Sequence, residues 1–357
     1  MRIQWLLPGI EVSGGVICAL RHAAGLQDRG HEVTVFVPQL PPPTTMAMLP
    51  ADVGHVTMKP QPPTLPPADV QIATHYNTVL AIAQAPARLR AQYVQHVETI
   101  FALDAPNPAV LIPFIKMALS LPVYRIANST WAQKTLKRLF GHDCDLALNA
   151  VTPFSGPPPS SEVNRPATVV SFVHPARWKG SNDAYNAVAL ARALEPDLDI
   201  QWHVFGSGQA PQEPWVHHHG VLPHEELPAL YRSADAVLFT SWAESYPLPP
   251  LEAMAVGTVV VTTPFGVEDY VEDGANALVI PPRDARRAAG ALLNALTAPA
   301  KQRSVWQAHG QATARRHTWA AAVLGFEQAL QRGLSAEPAP DPRPALLGEL
   351  AVPAISG

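Results

Sequence analysis

A chain of 357 residues is too long for one ordinary domain and suits two of about 150–180 residues each. Hydrophobic residues make up 47% of it, enough to fill two cores, which excludes a disordered chain. A net charge of −4, with charged residues at 15%, excludes broad nucleic-acid binding while leaving room for a local basic patch.

Cys18 and Cys144, the two cysteines, fall in separate apolar segments without metal or redox spacing and read as buried free thiols of a reducing compartment. No stretch approaches the ~20 apolar residues of a membrane span. The apolar part of M-R-I-Q-W-L-L-P-G at the N-terminus is too short for a signal peptide. The expectation is therefore a cytoplasmic protein, with peripheral attachment to the inner face of the membrane left open. The 39 prolines cluster at Pro41–Pro43, Pro60–Pro67, Pro157–Pro159 and Pro338–Pro344, marking loops, a linker and a tail. No internal repeat at solenoid spacing is present.

In chain order, Arg2–Leu7 reads as a strand, Ser13-Gly14-Gly15 opens a helix from Val16 to Arg29, and Glu32–Val37 is a second strand. The Gly14-Gly15 turn lets backbone approach a ligand closely, or is simply tight. It is not G-x-G-x-x-G and no acidic residue closes the second strand, which argues against a nicotinamide cofactor. Val70–Thr74 and Tyr93–His96 read as strands with Thr78–Ala85 helical between them, and His75 and His96 fall just past the two strands. A lone histidine is more often structural than catalytic; His96 is the better site candidate. Tyr124–Ser129 leads into a helix over Trp131–Phe140 that Asn128 or Ser129 caps, and Leu146–Val151 reads as the last strand of this half.

The proline-rich run ending at Pro166 marks the domain boundary, giving one domain over 1–155, a linker over 156–166 and a second domain over 167–317. Thr168–Val173 is its first strand, a helix spans Asp183–Leu194, and Asp199–Phe205 is a strand ending in the turn Gly206-Ser207-Gly208. Val216–Leu222 carries His217, His218 and His219, which as consecutive residues do not share one face and so do not read as a metal site. Leu227–Ser233 is helical, and Ala236–Phe239 enters L-F-T-S-W-A-E-S-Y-P-L-P-P-L-E-A-M-A-V-G-T-V-V-V-T-T-P, residues 238–264. Here strand, loop, helix and strand follow one another: Pro249 and Pro250 suit a first helical turn, Gly257 follows the last, and Thr258–Thr262 is β-branched. Glu244 lies in the loop and Glu252 in the helix. They could hold the hydroxyls of two rings beside backbone N–H groups that take an anion; alternatively Glu244 caps the helix and Glu252 faces water. Helices over Asp284–Leu296, Gln302–His317 and Trp319–Gln331 follow, the last, within 318–332, crossing back to the first domain, with 333–357 as a Pro/Ala-rich disordered tail.

E-S-Y-P-L-P-P-L-E-A-M-A-V-G-T-V-V-V at Glu244–Val261, continued by P-F-G-V-E-D-Y-V-E-D-G-A-N-A-L-V-I, resembles the signature of the retaining family-4 glycosyltransferases, E-G-F-G-L-P-x-L-E-A-M-A-x-G-x-P-V-V. I-A-N-S-x-W at Ile126–Trp131 is similar to a branch containing bacterial rhamnosyltransferases. The resemblance implies an α/β fold of GT-B architecture, two Rossmann-like doubly wound parallel-sheet domains facing each other across a cleft. It implies transfer from a nucleotide-diphospho-sugar to a glycan, lipid-linked or small-molecule acceptor, without metal or other cofactor and without nucleic acid. Glu252 would grip the ribose, Glu244 the sugar hydroxyls, and backbone at Ser245, Tyr246 and Leu248 the sugar and phosphate. His96 would line the sugar pocket, Gly14 and Gly15 would face phosphates and acceptor, and Glu98 would orient an acceptor hydroxyl. Val221 and Leu222 would meet the base. Lys179-Gly180 fits the family's G-R-x-x-x-x-K-G, whose two cations bind the diphosphate, with Arg177 as the second cation. Pro247 replaces a common glycine and removes one backbone donor. Two other readings are a GT-B nucleotide-sugar epimerase and an inactive nucleotide-binding scaffold.

Overall fold

The computed structural model describes residues 1–10, 12–102, 107–154, 156–163 and 166–336. In the first lobe these form β1 (Arg2–Leu6), α1 (Gly14–Asp28), β2 (Glu32–Val37), α2 (Pro43–Met46), β3 (Met58–Pro60), β4 (Ala68–Ala73), α3 (Tyr76–Ile82), β5 (Ala87–Val94), α4 (Glu98–Phe101), α5 (Pro108–Ser120), β6 (Tyr124–Ala127), α6 (Thr130–Phe140) and β7 (Asp145–Leu146). The second lobe holds β8 (Ala167–Phe172), α7 (Ser181–Leu194), β9 (Ile200–Phe205), β10 (Val216–His218), α8 (Leu227–Ser233), β11 (Ala236–Phe239), α9 (Leu248–Val256), β12 (Val259–Thr262), β13 (Leu278–Val279), α10 (Ala285–Thr297) and α11 (Ala300–Ala314). A final helix, α12 (Trp319–Ser335), follows.

Each lobe is built on one parallel sheet, ordered β3-β2-β1-β4-β5-β6-β7 and β10-β9-β8-β11-β12-β13. The order reverses beside β1 in one and beside β8 in the other, and ligands of open α/β sheets bind outside the carboxyl ends of strands at such reversals. Central strands covered on both faces carry continuous apolar runs; all four residues of β11 and of β12 are buried. This is the GT-B arrangement.

The last helix returns to the first lobe. Val323, Phe326, Ala329 and Leu330 enter the core under β1 and α1. The Phe326 ring stacks on Trp5 at 5.3 Å, and Gly25 lets the helices touch, since a Cβ there would fall 2.4 Å from Val323 Cγ2. The helix runs to Ser335, three residues into the stretch expected as a tail. Gly333 packs its bare Cα against Leu89 and Tyr124, which keeps that turn seated; residues 337–357 lie outside the described residues. The strand expected over Leu146–Val151 is also corrected. Only Asp145 and Leu146 pair with β6. The chain then leaves the edge, Asn149 accepting from the Tyr93 hydroxyl and Val151 bridging to Thr318. No helix among the described residues is long and apolar enough to cross a membrane.

Candidate active site

A cavity of about 670 Å³ lies between the lobes. It is lined from the first lobe by the turn after β1 and the segments after β5 and β6, and from the second by the loops after β8, β9 and β11. Gly14, Gly15, His96, Lys179, Val221, Leu222, Glu244, Ser245, Tyr246, Leu248 and Glu252 all line it. Eleven of the twelve site candidates thus converge. Arg177 does not. It is exposed at the start of a 3₁₀ turn, Arg177–Lys179, where side chains two residues apart in a three-residue turn cannot share a direction.

Lys179 Nζ donates to Glu244 Oε1 at 2.8 Å, both side chains mostly covered by the cavity walls. Three close approaches fix this corner. Gly180, at φ 68°, lets the turn sit against Thr240, whose carbonyl oxygen would lie 2.1 Å from a Cβ. Thr240 donates its hydroxyl to the Gly180 carbonyl at 2.8 Å. Behind the glutamate, Gly266 at φ 74° would carry a Cβ 2.7 Å from the Glu244 carbonyl.

Glu252 sits one turn into α9, held by the buried Tyr231 hydroxyl, which donates to Oε2 at 3.1 Å, with His224 Nδ1 3.9 Å from Oε1. The Glu252 carboxylate is thus held on the cavity lining by these partners, and the solvated position offered as an alternative does not describe it. Pro247, Pro249 and Pro250 have no N–H and the Leu251 N–H makes the first intrahelical bond, so the start of α9 leaves backbone donors only at Ser245, Tyr246 and Leu248. The lobes meet at this loop. Ser245 donates its hydroxyl to Asn128 Oδ1 at 2.6 Å and lies 3.0 Å from Ser129 Oγ, while Ser129 caps α6 through the Ala132 N–H. Asn128 in turn donates to the Gln95 carbonyl.

Burial holds the His96 imidazole down to about 4, helped by His75 and Lys179, so near neutral pH it acts as an uncharged hydrogen-bonding group. Burial raises the Glu98 carboxyl to about 7 against the lowering effect of the Tyr76 N–H it accepts. Glu98 does not line the cavity. The histidine run lies elsewhere, at the sheet edge, where His219 stacks on His203 and His217 packs against it at a tilt.

Several lining residues carry no local signal in the sequence, among them His224 and Cys18, as does the supporting Tyr231. His174 did leave one. Four residues separate arginine from lysine in G-R-x-x-x-x-K-G, and counting back from Lys179 reaches His174, which lines the cavity where Arg177 does not.

Residues 167–298 match the model of the family described as glycosyl transferases group 1. A D-inositol 3-phosphate glycosyltransferase of Arthrobacter sp. (strain FB24) is 34% identical over 118 residues, covering 29% of this chain and 28% of that protein. The O-antigen chain mannosyltransferase B of Escherichia coli is 31% identical over 122 residues, 34% of this chain and 31% of that one. The matches thus span less than a third of either relative's length. Over the whole fold the chain is similar to Anabaena HepE in complex with UDP-glucose, with a TM-score of 0.73 at 17% identity over 94% of this chain and 99% of that one. Sucrose-phosphate synthase from Thermosynechococcus elongatus superposes with a TM-score of 0.75 at 16% identity, over 94% and 100%. The second lobe thus carries the group 1 glycosyltransferase signature over residues 167–298, and the chain as a whole has the GT-B fold.

Proposed function

We propose that this protein is a retaining glycosyltransferase that moves a sugar from a nucleotide-diphospho-sugar to a hydroxyl of a glycan, a lipid-linked carrier or a small molecule. The observation that carries the reading is the placement of Glu244, Glu252 and Lys179 around one inter-lobe cavity, at the carboxyl ends of β8 and β11. The glycosyltransferase names of the curated relatives, and the UDP-glucose bound to HepE, support a nucleotide-sugar donor.

In this reading Glu252, steadied by Tyr231, accepts the two ribose hydroxyls, and backbone at Val221–Leu222 meets the base. Lys179 leaves Glu244 for the diphosphate and stabilises the charge that develops on it without requiring a metal. Glu244, released, takes sugar hydroxyls. The neutral His96 imidazole faces the sugar from the other lobe. The acceptor oxygen bonds to the anomeric carbon on the face from which the diphosphate departs. The breaking C–O bond leaves its electron pair on the diphosphate, and a phosphate oxygen takes the acceptor proton. The Ser245–Asn128 contact closes the lobes over this chemistry and keeps water out.

Incubation with UDP-, GDP-, ADP- and dTDP-hexoses and a mixed acceptor panel, followed by NMR of the anomeric proton, tests the proposal. Transfer with unchanged anomeric configuration, insensitive to EDTA, is the expected result. Inversion would sink the retaining mechanism, and conversion of the donor alone would point to an epimerase.

A further inference from the structure

We propose that His203 and His219 form a surface chelate for a late first-row divalent metal ion, held by His203 Nδ1 and His219 Nε2. The site lies outside the inter-lobe cavity, which neither residue lines, and is independent of what the cleft binds.

Strand register gathers the histidines. β9 and β10 run parallel at the edge of the second sheet, with His217 directly beside His203. Paired residues of neighbouring strands point to the same side of a sheet, and a residue two further along points there again. Three consecutive histidines do not share a face, but His217 and His219 do, and they share it with His203. His218 turns to the other side, where its Nε2 accepts the Ala210 N–H at 3.0 Å. The His219 N–H donates to the Val204 carbonyl at 2.9 Å, which fixes its backbone just past the strand. The His203 and His219 rings then stack, centroids 5.2 Å apart at 22°.

The stack brings two nitrogens together, His203 Nδ1 and His219 Nε2, 3.0 Å apart. With no metal, one of them donates a proton to the other. Taking the zinc–imidazole bond length of about 2.0–2.1 Å, this 3.0 Å separation subtends about 90–97° at a shared ion. That is the cis angle of a tetragonal ion such as Ni(II) or Cu(II). A tetrahedral zinc would need the nitrogens about 0.3–0.4 Å further apart. Binding asks each lone pair to turn off the line between the nitrogens, and the exposed His219 ring has the freedom to do so. Burial, with His217 and His219 beside it, brings His203 down to about 4, so the ring is neutral near pH 7. The donating ring moves its proton to its other nitrogen, and two neutral ligands face the ion.

His217 supports the pair without joining it. Its Nε2–H donates to the Gln201 side-chain oxygen at 2.8 Å, and its ring packs against His203 at 4.6 Å. Among the described residues no group of three His, Cys, Asp or Glu side chains stands ready to hold a metal, so the protein supplies two ligands and water completes the shell. Two imidazoles suit nickel or copper and leave out magnesium and calcium, which take oxygen ligands. The ion ties β10 to β9 just ahead of Gly206-Ser207 and Val221-Leu222, which line the cavity.

Calorimetric titration of the full chain, free of any affinity tag, with nickel chloride near neutral pH tests this on wild type, His203→Ala, His219→Ala and His218→Ala. Wild type should take one nickel ion per chain, and magnesium chloride should give no binding. His203→Ala and His219→Ala each leave a single imidazole, and should weaken nickel binding by at least the roughly 10-fold that loss of a second-shell partner costs. His218→Ala, on the opposite face, should bind like wild type. Copper(II) bound to wild type should show couplings to two imidazole nitrogens by electron paramagnetic resonance, and to one in either ligand variant. Wild type that binds no nickel would overturn the proposal. So would His219→Ala, an exposed substitution with an unchanged melting curve, that binds nickel like wild type. Equal losses in His218→Ala and His219→Ala would mean loose binding to a histidine-rich surface, and would overturn it too.

Discussion

Gly266 and Gly274 allow a controlled test of how Glu244 is positioned. Both have φ near 74°, so alanine at either pays about 1–2 kcal/mol for the left-handed conformation. Their surroundings differ. A Cβ at Gly274 meets open space, whereas one at Gly266 would sit 2.7 Å from the Glu244 carbonyl carbon and oxygen and 2.8 Å from the Ser245 carbonyl carbon. To reach ordinary contact at 3.4 Å the backbone at Glu244 must retreat by about 0.7 Å, and misplacement on the scale of 1 Å costs on the order of 100-fold in rate. Gly266→Ala should therefore lose roughly 10- to 100-fold in kcat/KM for sugar transfer. Gly274→Ala should keep activity near wild type while losing a similar increment of thermal stability. Steady-state transfer kinetics and thermal melts on both variants decide it. Full activity in Gly266→Ala, or equal losses in the two, would refute the reasoning.

Further outcomes follow from the same geometry. Lys179→Met should lower kcat by about 100- to 1,000-fold, as removal of a preorganised charge-stabilising donor does, and should also lower the melting temperature, because the mostly covered Glu244 carboxylate loses its cationic partner; transfer kinetics and calorimetry read the two separately. His22 is fully buried against Tyr93, Trp319 and Phe326, and burial pushes its pKa down from 6.5 to about 3. A group neutral in the fold and charged when unfolded stabilises above pH 6.5 and loses that contribution as pH falls toward 3. Urea unfolding at pH 8 and pH 5 should show about 2 kcal/mol less stability at pH 5 from this residue, absent in His22→Leu. Gly25→Ala should lower the melting temperature, because the added methyl meets Val323 at 2.4 Å and overpacking costs about 1–3 kcal/mol against about 1 kcal/mol of helix propensity. Gly290→Ala, helical and open, should raise it.

The two sheets are legible in the sequence because a parallel strand covered on both faces must be apolar throughout, as β11 and β12 are. Helix α9 announces itself through Pro249 and Pro250 in its first turn and Gly257, at φ 85°, after its last. The prolines that mark loops elsewhere hide β3, which ends on Pro60 at the edge of the sheet, and α5, which carries Pro113 inside it. An edge strand tolerates proline because the missing N–H faces no ladder partner, whereas Pro113 costs α5 one i→i−4 hydrogen bond, which is why it reads in the sequence as a break. At the site, Glu244 and Glu252 stand out because one loop and one helix carry them, while Lys179 is found through the resemblance of Lys179-Gly180 to the family's motif. Their supports are invisible at that level. Tyr231 reaches Glu252 from 21 residues upstream, and the Ser245–Asn128 contact joins the two lobes across 117 residues. Arg177 shows the opposite failure: two cations two residues apart diverge because they sit at the two ends of one 3₁₀ turn.

The most direct test of the central claim is a thermal-shift panel of UDP-, GDP-, ADP- and dTDP-sugars on wild type and Glu252→Ala. A donor present at 100 times its dissociation constant adds about 2.7 kcal/mol of stability. The account predicts that one nucleotide class stabilises wild type and that Glu252→Ala, still folded, loses most of that gain. Well-folded wild-type protein that no nucleotide-sugar stabilises, or an alanine variant that gains as much as wild type, would contradict it.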